Sequence, residues 1–141
     1  MKINELWVAY AGSQLTCTVT LHHFDENTMV KVIIGGVIDE PSAFITNVIL
    51  AAMDSGPHEF CLIDVQNLVF VTGISINEQA IECLIRLTGF AMNRNMRAVL
   101  VVDDAYVREV LADTLRRHRG FNKIMIQSSQ DYSESGVSKS I

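Results

Sequence analysis

His22-His23, followed by Asp25-Glu26, is the densest grouping of side chains able to ligate a metal. Neighbouring residues of a strand point to opposite faces, so the two imidazoles cannot serve one ion from regular structure, and the group reads as the solvated end of a hairpin. Asp103-Asp104 follows an apolar run and suits a helix start, where a carboxylate accepts backbone N–H groups. Arg116-Arg117-His118-Arg119 suits the C-terminal end of a helix, where the dipole favours cations; an acidic partner surface is the sharper use of the same cluster. Cys17, Cys61 and Cys83 are odd in number, far apart and each inside an apolar pattern, which makes them buried free thiols rather than a disulfide, metal or nucleophile set. No histidine is placed to activate a serine, and Gly35-Gly36 alone is no phosphate loop. The chemistry left is recognition, without catalysis, cofactor or metal.

Recognition needs a platform, and the stretch Phe60 to Asn95 supplies one. Phe60-Cys61-Leu62-Ile63-Asp64-Val65 reads as a buried strand, Gln66 to Ile74 as a loop, and the residues from Ser75 as a long helix. Ser75-Ile76-Asn77-Glu78 fits a capping box, with the serine oxygen accepting an N–H and Glu78 reaching back to the Ser75 amide. Ile76, Ala80, Leu84, Leu87 and Ala91 fall on one helical stripe, with Glu82 and Arg86 on the wet side. A strand feeding a loop and then a helix places backbone N–H groups and small polar side chains at the carboxyl edge of the sheet, where open α/β sheets usually bind.

The remaining chain supplies the sheet around that strand. Leu6 to Tyr10 suits a short strand. Leu15, Cys17, Val19 and Leu21 alternate with Thr16, Thr18 and Thr20, a half-buried strand, and Met29 to Ile34 returns as the second arm of a hairpin. Asp39 is placed to cap a helix with Pro41 in its first turn, running to about Ser55 before Gly56-Pro57. Ala98 to Val102 reads as a buried parallel strand, Asp103 or Asp104 caps a helix through Leu115 that Gly120 ends, and Phe121 to Ile126 is a last strand. From Ser133 the serine-rich end reads as a mobile tail, which leaves 1–132 as the domain and 133–141 as the tail.

A chain of 141 residues with 49% hydrophobic composition is expected to form one globular domain. It has no apolar run of membrane-span length, and Met1-Lys2-Ile3-Asn4-Glu5 lacks the pattern of a secretion signal, so a cytoplasmic location is expected. The net charge of −5 is uneven: residues 1–64 hold two lysines against eight acids, and residues 86–123 hold eight bases against four acids. That asymmetry suits orientation of a protein partner or a second copy; it is too mild for nucleic acid.

In order and spacing, several segments resemble the STAS domain of anti-sigma-factor antagonists, stressosome proteins and sulfate transporters. They are Gly36-Val37-Ile38-Asp39, similar to the family's Gly-x-x-Asp; the run Leu62 to Val71, similar to its central strand; and the strand Ala98 to Val102. The resemblance covers about Leu15 to Ile126. It implies a single α/β domain with a mixed four- to six-stranded sheet whose later strands are parallel, an N-terminal β-hairpin and three to four helices. It also implies a non-enzymatic regulator in bacterial signal transduction and transcription, bound to an anti-sigma factor, switch kinase or signalling assembly.

The family's phosphorylated loop, typically Asp-Ser-Ser-Gly-Leu, is here Thr72-Gly73-Ile74-Ser75-Ile76, and its two acceptor positions are Gly73 and Ile74, which cannot carry phosphate. Ser75 and Thr72 remain as slipped acceptors, Ser75 with the cap as its competing role and Thr72 with local backbone bonding. Phosphate near a helix start is electrostatically favoured. The expected docking surface is Asp39, Thr72, Gly73, Ile74, Ser75, Asn77 and Glu78, with exposed Ile74 as its apolar centre. Alternatives of other classes are a self-assembling subunit, a dimer or stack built from an unpaired first strand and the bipolar charge, and a sensor holding a small ligand under the loop.

Overall fold

The threonine alternation does what a period of two requires. In the computed structural model, which describes residues 2–12, 14–24, 27–56 and 58–134, it forms β2 (Leu15–Phe24). Leu15, Cys17, Val19 and Leu21 are buried, and Thr16, Thr18 and Thr20 face the other way. Antiparallel to β2 on one side is β1 (Lys2–Ala11), ten residues long rather than the short strand expected, with a bulge between Leu6 and Val8. It is therefore paired along its length with β2, and only its outer edge lacks a neighbour among the described residues. On the other side lies β3 (Asn27–Gly36), which completes the hairpin; Asp25 and Glu26 lie outside the described residues.

From β3 the chain winds in one direction. It runs through α1 (Ile45–Met53), β4 (Phe60–Asp64), a small ribbon of β5 (Val71–Thr72) and β6 (Ser75–Ile76), α2 (Glu78–Asn93), β7 (Arg97–Val101), α3 (Ala105–Leu115), a 3-10 turn (Phe121–Lys123), β8 (Ile124–Gln127) and α4 (Ser129–Glu134). The main sheet has the order β1-β2-β3-β4-β7-β8, and β3, β4, β7 and β8 are mutually parallel. The fold is α/β with a mixed six-stranded sheet, an N-terminal hairpin and four helices.

Each parallel strand is added on the same side of the last, so right-handed crossovers lay α1, α2 and α3 on one face. That face holds the main core, including Val19, Val32, Ile49, Ile63, Leu84, Leu100 and Leu111. The opposite face carries a smaller cluster, Met29, Leu62, Val99 and Val101, against which Tyr132 of α4 packs. Winding in a single direction leaves no point where strand order reverses, and hence no crevice of the doubly wound kind at the carboxyl edge.

Besides the length of β1, other boundaries differ from the sequence expectations. The helix expected from Asp39 becomes regular only at Ile45; residues 40–44 turn through short i+3 bonds such as Ala43 N–H to Glu40 O and Ile45 N–H to Ser42 O. The last strand begins at Ile124, because Phe121–Lys123 closes a 3-10 turn after Gly120, whose φ is +93°. Ser133 and Glu134, expected in the tail, belong to α4; the rest of the expected mobile tail, 135–141, lies outside the described residues.

Candidate functional site

The carboxyl end of β4 leads into a loop whose base is fixed and whose tip is free. Val65 N–H donates to Val101 O at 3.1 Å, and Leu68 forms a parallel bridge to Gly36, with Gly36 N–H to Asn67 O at 2.9 Å and Val69 N–H to Gly36 O at 2.8 Å. Leu68 and Phe70 are buried. Gly36 is required at this crossing: its φ is +95°, and a Cβ there would lie 2.0 Å from the Gln14 carbonyl oxygen.

Beyond Phe70 the chain leaves the core as the β5–β6 ribbon. Val71 pairs with Ile76 and Thr72 with Ser75, across a two-residue loop of Gly73 and Ile74. Gly73 takes φ +64° at the first loop position, the geometry that lets a tight hairpin follow the strand twist. Ile74 at the tip is 102% exposed, and Val71 and Ile76 behind it are about two-fifths exposed, at 41% and 42%. Thr72 and Ser75 are exposed on either side of the tip.

The ribbon displaces the expected helix start. Ser75 does not cap α2, and Ile76 lies in β6 rather than on the buried stripe of the helix. The cap is Asn77, whose Oδ1 accepts from Ala80 N–H at 3.2 Å. Asn77 makes two further bonds: its backbone N–H donates to Phe70 O at 2.7 Å, closing the ribbon, and its side-chain Nδ2 donates to Ile38 O at 2.9 Å while Oδ1 caps the helix, a pairing of donor and acceptor that suits an amide. Glu78 stands exposed in the first turn of α2, where the dipole favours a carboxylate. Arg86 turns to Asn47 Oδ1, at 2.6 Å, and so ties α2 to α1.

The Asn77 to Ile38 bond brings the turn after β3 to the same edge. There Asp39 and Ser42 cap each other: Asp39 N–H donates to Ser42 Oγ at 2.9 Å, while Ser42 N–H and hydroxyl donate to Asp39 Oδ1 at 3.0 and 2.7 Å. The bonds from the Ser42 hydroxyl and then its N–H hold the Asp39 carboxyl below the ordinary aspartate range. Asp39 is thus exposed but already engaged in its own turn. The expected surface residues Asp39, Thr72, Gly73, Ile74, Ser75, Asn77 and Glu78 occupy one edge, with Asn77 half-buried as its fastener and the others exposed.

Beside the ribbon, a shallow cavity of about 260 Å³ lies between the loop and the acidic pair. Asp104 Oδ1 caps α3 by accepting from Val107 N–H at 3.0 Å, and Asp103 Oδ1 accepts from Ser129 N–H at 2.7 Å, anchoring α4. Bonding from Ser129 lowers the Asp103 pKa. Both carboxylates therefore do structural work.

The paired histidines and the cysteines stand as their sequence context implied, except that His22 is buried rather than solvated. His22 and His23 sit on opposite faces, opposite Met29 and Thr28, and among the described residues no group of three or more His, Cys, Asp or Glu could hold a metal. All three cysteines are free and buried, and burial pushes the Cys17 and Cys61 thiols up to about 12 and raises that of Cys83.

Sequence reasoning missed a second cavity, of about 430 Å³, at the opposite edge of the sheet. Met53, Phe90 and Met96 form its apolar lining, with His58 and Arg94 among its polar members. Both ring nitrogens of His58 are buried and without a hydrogen-bond partner among the described residues, and burial, then nearby His23, lowers the pKa of its imidazole. Arg94 lies over the Phe90 ring, 4.9 Å from its centroid, and bonds Asp54. No local motif marks this cavity, since its lining comes from three separate stretches of the chain, at Thr28, from Met53 to Glu59 and from Phe90 to Met96. Compared with protein-family models, with characterised proteins and with solved structures, the chain matches none.

Proposed function

We propose that the chain is a non-enzymatic regulatory protein that docks on another protein through the β5–β6 ribbon and the adjoining turns at Asp39 and Glu78. The observation that carries this reading is the 102% exposure of Ile74 at the end of a ribbon whose root is buried and hydrogen-bonded. Covering one such side chain is worth about 1.5–3 kcal/mol, and a branched apolar anchor backed by Val71 and Ile76 is the kind of feature that centres an interface.

The resemblance of Gly36–Asp39 and Leu62–Val71 to STAS domains supports a partner of the anti-sigma-factor or switch-kinase class. Pull-down with the wild type, Ile74→Asp and Thr72→Glu tests the reading. Loss of a specific partner in the variants is expected, and retention of every wild-type partner by both would remove this edge as the interface.

Phosphorylation at Thr72 or Ser75 belongs to the same proposal. With Asn77 as the cap, the Ser75 hydroxyl is not committed to the helix, and Thr72 and Ser75 face each other beside Ile74. A phosphate on either would place about −1.5 to −2 charges next to the apolar tip and weaken docking there. Intact mass of protein from its own cells, before and after phosphatase, should reveal a phosphoform; one unmodified species under all growth conditions would eliminate it.

A further inference from the structure

The large apolar side chains exposed among the described residues gather mostly at one edge. Val71, Ile74 and Ile76 of the ribbon are joined there by Phe44, 48% exposed just before α1, and Tyr106, 57% exposed in the first turn of α3. Leu6, Ile33 and Met125 lie apart, within β1, β3 and β8. The topology sets this grouping: β3, β4 and β7 are neighbouring parallel strands, so the turns leaving them share the carboxyl edge. Phe44 is held edge-on against Tyr10, ring centroids 5.6 Å apart, so its ring is positioned before anything docks. Packed helices lie about 8–10 Å apart, and α2 lies between α1 and α3, so Phe44 and Tyr106 stand on the order of 20 Å apart with the ribbon between them. That span fits within one standard interface, about 800 Å² per partner.

The charges around these residues carry one sign. Asp39, Glu40, Glu78, Asp103 and Asp104 are exposed at the same edge, and none is in an ion pair among the described residues. The segments 37–44, 65–77 and 102–104 contain no lysine or arginine. Arg108, in the first turn of α3, is folded onto the Val102 and Asp103 carbonyls at 2.7 and 2.8 Å and offsets part of the Asp103 charge. An apolar centre inside a rim of carboxylates fits a partner with the complementary arrangement.

We propose that the docking surface extends from the ribbon to Phe44 and Tyr106, and that its partner is a different protein whose apolar contact site is ringed by lysine and arginine. The inference rests on the ribbon being a docking element and adds the chemistry of the partner and two further contact residues. Phe44, Ile74 and Tyr106 supply the hold, since covered aromatic and branched side chains dominate interface energies. The carboxylates stay at the wet rim, where they speed approach and make binding sensitive to salt. A charge beside the apolar tip, as in Thr72→Glu, has to be stripped of water on docking and opposes it.

NMR titration of the isotope-labelled full chain with three synthetic peptides of equal length tests the proposal. The peptides are an amphipathic Leu/Lys helix, a Leu/Glu helix with the same leucines, and a Ser/Lys peptide without leucine. The Leu/Lys peptide should shift the amides of Phe44, Thr72 to Ile76 and Tyr106, with a Kd that rises about tenfold from low to high salt. The other two should bind at least about tenfold more weakly, since each lacks one of the two complementary features. Glu40→Lys with Glu78→Lys should reverse the preference toward the Leu/Glu peptide, Tyr106→Ser should weaken both, and Arg117→Glu at the far edge should change nothing. Glu78→Gln takes the place of Glu78→Lys if the latter lowers the urea midpoint. No binding of the Leu/Lys peptide, shifts that map away from this edge, or an unchanged preference in the charge-swapped variant overturns the proposal. The same shifts on concentrating the chain alone would put a second copy there and also overturn it. Equal binding of the two leucine peptides at the ribbon, lost in Ile74→Asp, would leave ribbon docking standing while this inference fails.

Discussion

The side-chain amide of Asn77 donates to the carbonyl oxygen of Ile38 at 2.9 Å, fastening the start of α2 to the turn after β3. The same side chain caps the helix through Ala80 N–H. Asn77→Ala removes both and leaves the part-buried Ile38 carbonyl unpaired. It should cost about 1–3 kcal/mol, whereas Ser75→Ala should change stability by less than about 0.5 kcal/mol. Urea midpoints of the two variants check this; an equal loss in Ser75→Ala would restore the capping box.

Two positive-φ glycines should behave differently. At Gly36 an added methyl meets the Gln14 carbonyl at 2.0 Å, while at Gly73 no heavy atom lies within 4 Å. Gly73→Ala should cost only the left-handed strain of about 1–2 kcal/mol. Gly36→Ala adds a backbone clash and should exceed about 4 kcal/mol or prevent folding. Thermal unfolding of both variants measures the difference.

Asp39 should titrate below an ordinary aspartate, and Ser42→Ala should move it upward, because the serine hydroxyl is the first cause of its depression. A carboxyl depressed on folding contributes stability that is present above its unfolded pKa and lost as pH falls through the folded value. Asp39 and Asp103 therefore add to stability at neutral pH, and their contribution fades in acid below the ordinary value of 3.8. Carboxyl resonances followed by NMR against pH report both shifts.

The cysteines should be inert in the native state, since the thiolate is the reactive form and burial holds Cys17 and Cys61 near 12. Ellman's reagent should find no fast-reacting thiol in folded protein and three in urea. A rapid native reaction would mean that one of them is exposed.

Much of the sheet was legible because its signals are local. The Leu15 to Leu21 alternation, the apolar runs at Cys61 and Ala98 and a cap at Asp103 or Asp104, which the structure places at Asp104, need only their own neighbours. Ser75 misled because Ser75-x-x-Glu78 fits a capping box and Ile76 fits the helical stripe. The competing pattern, Val71-Thr72 and Ser75-Ile76 around Gly73, was equally local but short. What decided between them was Asn77 reaching Ile38, a bond spanning 39 positions of sequence. The cavity at His58 was illegible for a related reason, because it exists only where three separate stretches of the chain meet.

The exposed tip itself gives the most direct test. Ile74 and Met125 are both exposed apolar residues, 102% and 45%, on different parts of the surface. Partner capture by Ile74→Asp and Met125→Asp, each first shown to unfold at the wild-type urea midpoint, separates ribbon docking from general stickiness. The ribbon account requires that Ile74→Asp lose the partner and that Met125→Asp retain it; full capture by Ile74→Asp at wild-type stability would contradict it.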